Sequence, residues 1–102
     1  MNEEKVLDYY VVVKGLYGRN RTTKIHSVAL DRRPVDQPAD LADVQAKAEE
    51  ALREIKFKRG YVRIEERPLT LQHYPAENGS PAYTLQVYAL FSGRTMYEAN
   101  RA

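Results

Sequence analysis

Residues 40–60 read DLADVQAKAEEALREIKFKRG, and they form the clearest helical pattern in the chain. Apolar residues recur there at three- and four-residue intervals, so they share one stripe of a helix. The stripe consists of Leu41, Val44, Ala48, Ala51, Leu52 and Ile55. Asp40 suits the N-cap, and Gly60 suits the position after the last turn. We therefore predict one amphipathic helix that packs against an apolar surface.

Two strand-like segments precede this helix. Val6–Lys14 is rich in Val and Tyr, and its apolar residues fall at both odd and even positions, which favours a strand inside a sheet. Two glycines and an asparagine in Gly15–Arg21 predict a hairpin turn. A second strand, with weak alternation, follows from about Thr22 to Leu30. These two segments should therefore pair as an antiparallel hairpin.

Two further strand-like segments follow the helix. The first covers Tyr61 to Tyr74, and Pro68 should interrupt it with a bulge or an edge position. The second is Ala82–Phe91, and we expect residues 93–102 to form a short helix or a loose tail. The order ββαββ predicts a single α+β domain over residues 1–92. Its fold would be a four-stranded, mainly antiparallel sheet with one helix packed on one face. The spatial strand order 2-1-3-4 makes every neighbouring pair antiparallel.

The composition narrows the classes of protein. The chain has 102 residues, a formal net charge of +2 and no cysteine, which excludes disulfides, zinc–thiolate sites and a cysteine nucleophile. No apolar run approaches the roughly 18 residues that a membrane-spanning helix needs. The polar, partly acidic start Met1–Lys5 is unlike a secretory signal peptide. We therefore expect a cytoplasmic protein with no membrane partner.

A single helix can cover only one face of the predicted sheet. The opposite face would carry tyrosine and valine side chains, and a soluble monomer rarely leaves such a patch exposed. We therefore expect a homodimer or a protein partner there; the alternative is cover by Met96, Tyr97 and long polar side chains. With two tyrosines from the turn and the helix end added, the predicted interface comprises Tyr10, Val12, Tyr17, Tyr61, Tyr88 and Leu90.

Basic residues cluster in two segments that contain no acid, residues 14–24 and 56–63. Together they hold eight of the sixteen basic residues, Lys14, Arg19, Arg21, Lys24, Lys56, Lys58, Arg59 and Arg63. The element order brings the hairpin turn and the helix end to one pole of the domain, which we call the basic pole. With Tyr17 and Tyr61 nearby, the basic pole could hold phosphates and stack on a base, or meet an acidic patch of a protein. Solvated charge that complements the helix dipole is the third interpretation.

The histidines and carboxylates form no recognisable catalytic or metal site. His26 and His73 lie far apart, whereas a zinc site needs three or four ligands. Ser27 adjoins His26, but neighbours on a strand point to opposite faces. Glycine loops of the Walker or dinucleotide-binding type are absent. We expect no cofactor and no metal.

These observations favour a small non-catalytic binding protein. The leading hypothesis is a protein–protein interaction module that works as a homodimer or within a larger assembly, through its sheet face and the basic pole. Sequence-independent nucleic-acid binding through the basic hairpin and the helix end is the alternative. An enzyme of unknown reaction is a third hypothesis that no motif supports.

Overall fold

The chain forms one helix and five strands within residues 2–17, 22–56, 59–89 and 93–101, the ranges that the computed structural model describes. In chain order the elements are β1 (Asn2–Tyr17), β2 (Thr22–Pro34), α1 (Leu41–Glu54), β3 (Arg59–Tyr74), β4 (Tyr83–Tyr88) and β5 (Arg94–Arg101). Helix α1 therefore ends well before Gly60, which lies in β3 and does not terminate the helix as predicted.

All strand pairs in this sheet are antiparallel. The strand order is β2-β1-β3-β4, and β5 also pairs with β3. Because β4 pairs with Leu69–Tyr74 and β5 with Gly60–Glu66, the two short strands follow one another along the same edge of β3. The α+β class and the neighbour order 2-1-3-4 are thus confirmed, but the sheet has five described strands and not the four predicted.

The extra strand comes from the predicted tail, and the expectation of a short helix or loose chain is wrong for Arg94–Arg101. The reason is the length of β3, which has 16 residues, whereas β4 has only 6. The first half of β3 would otherwise keep its backbone N–H and C=O groups unpaired on that side, and β5 satisfies them. A bulge at Met96 breaks the alternation that would have marked β5 as a strand.

Pro68 does not break β3, but it occupies the edge position that is one of the two predicted outcomes, because only one side of β3 is paired there. It lies opposite Leu7 of β1, and on its other side it falls between Glu66, the last residue paired with β5, and Leu69, the first paired with β4. A proline has no N–H to donate. On the side of β4 and β5, no strand is paired with Pro68 that would require one. The proline therefore sits where β3 changes partners.

The core lies between α1 and one face of the sheet, which we call the helix side. It consists of Leu7, Tyr9, Val11, Val13, Ala39, Val44, Ala48, Leu52, Val62 and Ile64. At 14 residues α1 is about 21 Å long, whereas β1 and β3, with 16 residues each, extend about 54 Å. The helix consequently covers less than half of the sheet's length, and the end that carries β4 lies beyond it.

A buried polar network joins the helix start to the sheet. The Tyr9 hydroxyl donates a 2.7 Å hydrogen bond to Glu66 Oε2 and accepts one of 2.9 Å from the backbone N–H of Ala39. Arg94 Nε donates to Glu66 Oε1 at 2.8 Å. The Arg94 bond lowers the pKa of Glu66, and burial raises the pKa of Tyr9, so the carboxylate stays charged and the phenol neutral.

Candidate functional site

The strand register brings part of the basic pole together at one end of the sheet. Lys14 lies opposite Tyr61, Gly15 lies between Lys24 and Gly60, and Leu16 lies opposite Arg59. Lys14, Lys24 and Arg59 thus fall within three consecutive register positions. Lys56, between α1 and β3, belongs to the same end. The predicted residues Arg19, Arg21 and Lys58 lie outside the described residues.

Ion pairing separates these cations from the other basic residues of the sheet. Within the described ranges, no carboxylate pairs with Lys14, Lys24, Lys56 or Arg59. Arg63, by contrast, has its Nε 2.5 Å from Glu65, and it lies further into the sheet, opposite Val12. Five other arginines of the sheet are also paired, namely Arg32, Arg33, Arg67, Arg94 and Arg101. The basic pole therefore holds charge that its own surroundings do not neutralise.

A cavity of about 520 Å³ opens at this pole. Its lining includes Lys14, Leu16, Arg59, Tyr61, Asn100 and Arg101. The described lining contains three basic residues and no acidic one. Arg101 forms an ion pair with Glu49 of α1, so Lys14 and Arg59 are the lining cations without a carboxylate partner in the described ranges.

A glycine pair brings two strands close together beside this cavity. Gly15 and Gly60 lie opposite each other in the β1–β3 ladder, and both line the cavity. A Cβ added at Gly60 would lie 2.7 Å from the Cα of Gly15 and in contact with the Lys14 carbonyl oxygen. Because both neighbours are backbone, only glycine fits at position 60 without moving β1 away from β3.

The predicted interface tyrosines share the face opposite α1, which we call the open face. Register pairing places Tyr10, Val12, Tyr61 and Tyr88 there. Leu90 lies outside the described residues, and of Tyr17 only the backbone is described. Val12 is 7% exposed although no helix covers it. The open face is therefore less apolar at its surface than its sequence predicts.

Long polar side chains provide the cover. The Arg67 guanidinium lies 4.4 Å from the centroid of the Tyr10 ring and pairs with Glu65 at 2.5 Å. Arg32 forms two hydrogen bonds with the buried carboxylate of Asp8, at 2.6 and 2.9 Å. A hydrogen bond with Tyr88, together with burial, raises the pKa of Tyr10 to about 12. The open face thus matches the alternative of cover by long polar side chains.

The tail does not take part in that cover. Met96 and Tyr97 are partly buried against the core on the helix side. The register explains this, because Tyr97 lies opposite Ile64, which is a core residue. Met96 and Tyr97 therefore do not cover the open face, and that part of the alternative is wrong.

Strand β4 has exposed apolar side chains, and the sequence pattern does not predict this exposure. All six of its residues are exposed, and the large apolar ones are Tyr83 at 53%, Leu85 at 47%, Val87 at 45% and Tyr88 at 46%. Tyr83, Leu85 and Val87 alternate onto the helix side, but α1 ends short of them. A comparison of helix length with strand length would have been the only sequence signal for this exposure.

The edges of the sheet differ in how they are protected. β2 carries four charged residues, Lys24, Asp31, Arg32 and Arg33, and a bulge at Leu30. β5 carries Arg94, Glu98 and Arg101 and a bulge at Met96. Charges and bulges both discourage edge-to-edge pairing. β4 has no charge and no bulge within Tyr83–Tyr88.

The remaining polar groups do not assemble into a metal site in the described ranges. No group of three or more His, Cys, Asp or Glu residues there is placed to hold a metal ion. His73 contacts Thr84 at 2.9 Å and Glu4 at 3.2 Å. No helix in the described part of the chain has the length and apolarity needed to cross a membrane.

Comparison of the chain with protein-family models, with curated proteins and with solved structures found no match in any of the three.

Proposed function

We propose that this chain is a non-catalytic protein-interaction module that forms a homodimer through strand β4. The observation that carries the proposal is an uncharged edge strand with exposed apolar side chains. β4 pairs with β3 along one edge, and no strand in the described ranges pairs with its other edge. Such an edge presents free N–H and C=O groups to which a further strand can bind.

The composition of β4 favours a second copy of the chain as its partner. In a two-fold antiparallel pair of identical strands the central residue lies opposite its own copy, and a charge at that position is destabilising because like charges then face each other. The sequence YTLQVY of β4 contains no charged residue, so self-pairing meets no such repulsion. On β2 and β5, in contrast, a pair centred on one of the charged residues would place that residue opposite its own copy.

A register centred on Leu85 brings together the three exposed apolar side chains of β4 that lie on the helix side, Tyr83, Leu85 and Val87. Leu85 then lies opposite Leu85 of the second copy, and Tyr83 lies opposite Val87. The three exposed apolar residues of each copy form one continuous strip on the helix side. Each cross-strand pair contributes roughly 0.2–1 kcal/mol, in addition to the backbone hydrogen bonds of the new ladder. Tyr83 is already held in place by its stacking on Tyr74, with ring centroids 4.7 Å apart.

Analytical ultracentrifugation of the full chain and two variants tests the proposal. The wild-type chain should sediment as a dimer, and Leu85→Lys should raise its dissociation constant at least about tenfold, because two lysines then face each other. Ile25→Lys is the matched control, because Ile25 is 67% exposed on the edge strand β2, and it should leave the dimer unchanged. A wild-type monomer at high micromolar concentration contradicts the proposal, as do equal effects of the two substitutions.

A further inference from the structure

We infer that the cavity at the basic pole binds single-stranded nucleic acid, with its cations on the phosphates and Tyr61 stacked on a base. The site is distinct from the β4 surface. Tyr61 lies about 27 Å along β3 from Leu69, the first residue that pairs with β4. Binding at the cavity therefore does not require the proposed dimer.

The charge of the pole matches a polyanion. Lys14 and Arg59 line the cavity, and neither pairs with a carboxylate of the described residues. A nucleic-acid backbone carries one negative charge per nucleotide, and cations that contact it release condensed counterions. Elsewhere in the sheet the arginines are occupied by carboxylates, so this end of the sheet offers the least compensated positive charge among the described residues.

The walls of the cavity favour nucleic acid over an acidic peptide. Leu16 and the half-buried ring of Tyr61 line it together with the cations. The Tyr61 hydroxyl donates a hydrogen bond to Glu98. This bond raises the pKa of Tyr61, so the ring stays neutral. Aromatic rings beside a basic groove are the usual means of binding single strands, because every base has a face that stacks. An acidic peptide would use the cations and leave the ring without a role.

The size of the cavity favours a single strand over a duplex. Its volume of about 520 Å³ is within the range of small-ligand pockets, and it is a largely open concavity. An unstacked nucleotide can enter such a cavity, whereas a base inside a duplex is already stacked and paired. The proposed ligand is therefore single-stranded DNA or RNA, and single-stranded DNA is the simpler probe.

Fluorescence anisotropy with a labelled dT10 oligonucleotide tests the charge part of the site. Contacts from Lys14 and Arg59 predict a log–log salt slope of about −1.4, because each single-strand phosphate contributes about −0.7. Lys14→Gln should weaken binding roughly fivefold at 0.1 M salt on the same arithmetic. Lys5→Gln is the matched control, since Lys5 is also an exposed lysine on β1 but lies towards the other end, and it should leave binding unchanged. Absence of dT10 binding at low salt, or equal effects of the two substitutions, overturns the inference.

Two substitutions at Tyr61 test the stacking part. Tyr61→Phe keeps the ring and should retain binding, whereas Tyr61→Leu should weaken it at least about fivefold. If a ten-residue polyglutamate competes as well as unlabelled dT10, and Tyr61→Leu has no effect, the pole binds an acidic protein and the inference is wrong. The Leu85→Lys variant should bind dT10 like the wild-type chain. Loss of dimerisation and loss of nucleic-acid binding can therefore be distinguished.

Discussion

The hydroxyl of Tyr9 on β1 lies 2.7 Å from Glu66 Oε2 on β3, and both residues are buried. The same oxygen accepts the backbone N–H of Ala39, just before α1. One phenol therefore connects the middle of the sheet to the segment that starts the helix. Removal of this single oxygen would leave a buried carboxylate oxygen and a buried N–H group each without this partner.

Tyr9→Phe should consequently lower the free energy of unfolding by about 1–3 kcal/mol, the usual cost of unsatisfied buried polar groups. Urea unfolding followed by circular dichroism measures the loss. Tyr74→Phe is the control, because the Tyr74 hydroxyl donates only a 3.4 Å hydrogen bond to Gln72, and its loss should stay below about 0.5 kcal/mol. Similar losses for both variants would show that the Tyr9 network is not a major source of stability.

Gly60→Ala should destabilise the fold by about 1–3 kcal/mol, because the new methyl group meets the backbone of β1 and must separate two paired strands. Thermal unfolding of the variant tests this. At Gly93 the nearest atom to an added Cβ is the Glu66 carbonyl oxygen at 3.3 Å, so Gly93→Ala should cost less than half as much. The opposite ranking would contradict the close approach of β1 and β3 at the glycine pair.

Asp31 should make stability depend on pH. Hydrogen bonds from Lys47 and then Arg33 lower its pKa from 3.8 to about 2. A carboxylate with a depressed pKa in the folded state stabilises the fold above its unfolded pKa, and this contribution is lost as pH falls from about 4 towards 2.

Asp31→Asn should therefore be less stable than the wild-type chain at pH 7, by about 1 kcal/mol, since both cationic partners are partly exposed. The difference should vanish near pH 2, and urea unfolding at a series of pH values measures it. A difference that is constant with pH would mean that the amide changes packing and that the charge of Asp31 is not responsible.

Amide hydrogen exchange should distinguish β4 from the interior strands. The N–H groups on the free edge of β4 should exchange quickly in dilute solution and become protected as protein concentration rises, because the second copy then pairs with them. Amides of Val11 and Val13, in the middle of the sheet, should be protected at every concentration. Protection of β4 that does not change with concentration would contradict self-pairing.

The sequence predicts the parts of this fold that depend on local pattern. The stripe from Val44 to Leu52 places α1, and the two-faced apolar pattern of Val6–Lys14 correctly predicts a central strand. Element order also brings Lys14, Lys24 and Arg59 to one end, because a hairpin turn and the end of the following helix must meet there.

Features that depend on register or relative length are not predictable in this way. Met96 conceals β5 because one bulged residue shifts the alternation. Arg67 covers the Tyr10 ring because the two residues lie close together on neighbouring strands. Only the β1–β3 register determines that position. The exposure of Leu85 follows from a helix that is too short for its sheet, and no local pattern encodes that mismatch.

The unequal protection of the sheet edges limits how far assembly can proceed. If two copies join through β4, each contributes the one uncharged edge among its described strands, and the edges that remain belong to the charged and bulged β2 and β5 of each copy. A two-fold interface of this kind buries the same patch on both copies, so neither copy keeps that patch free to bind a third chain. Such an assembly would close at two chains, because charged and bulged edges discourage the further pairing that a fibre needs.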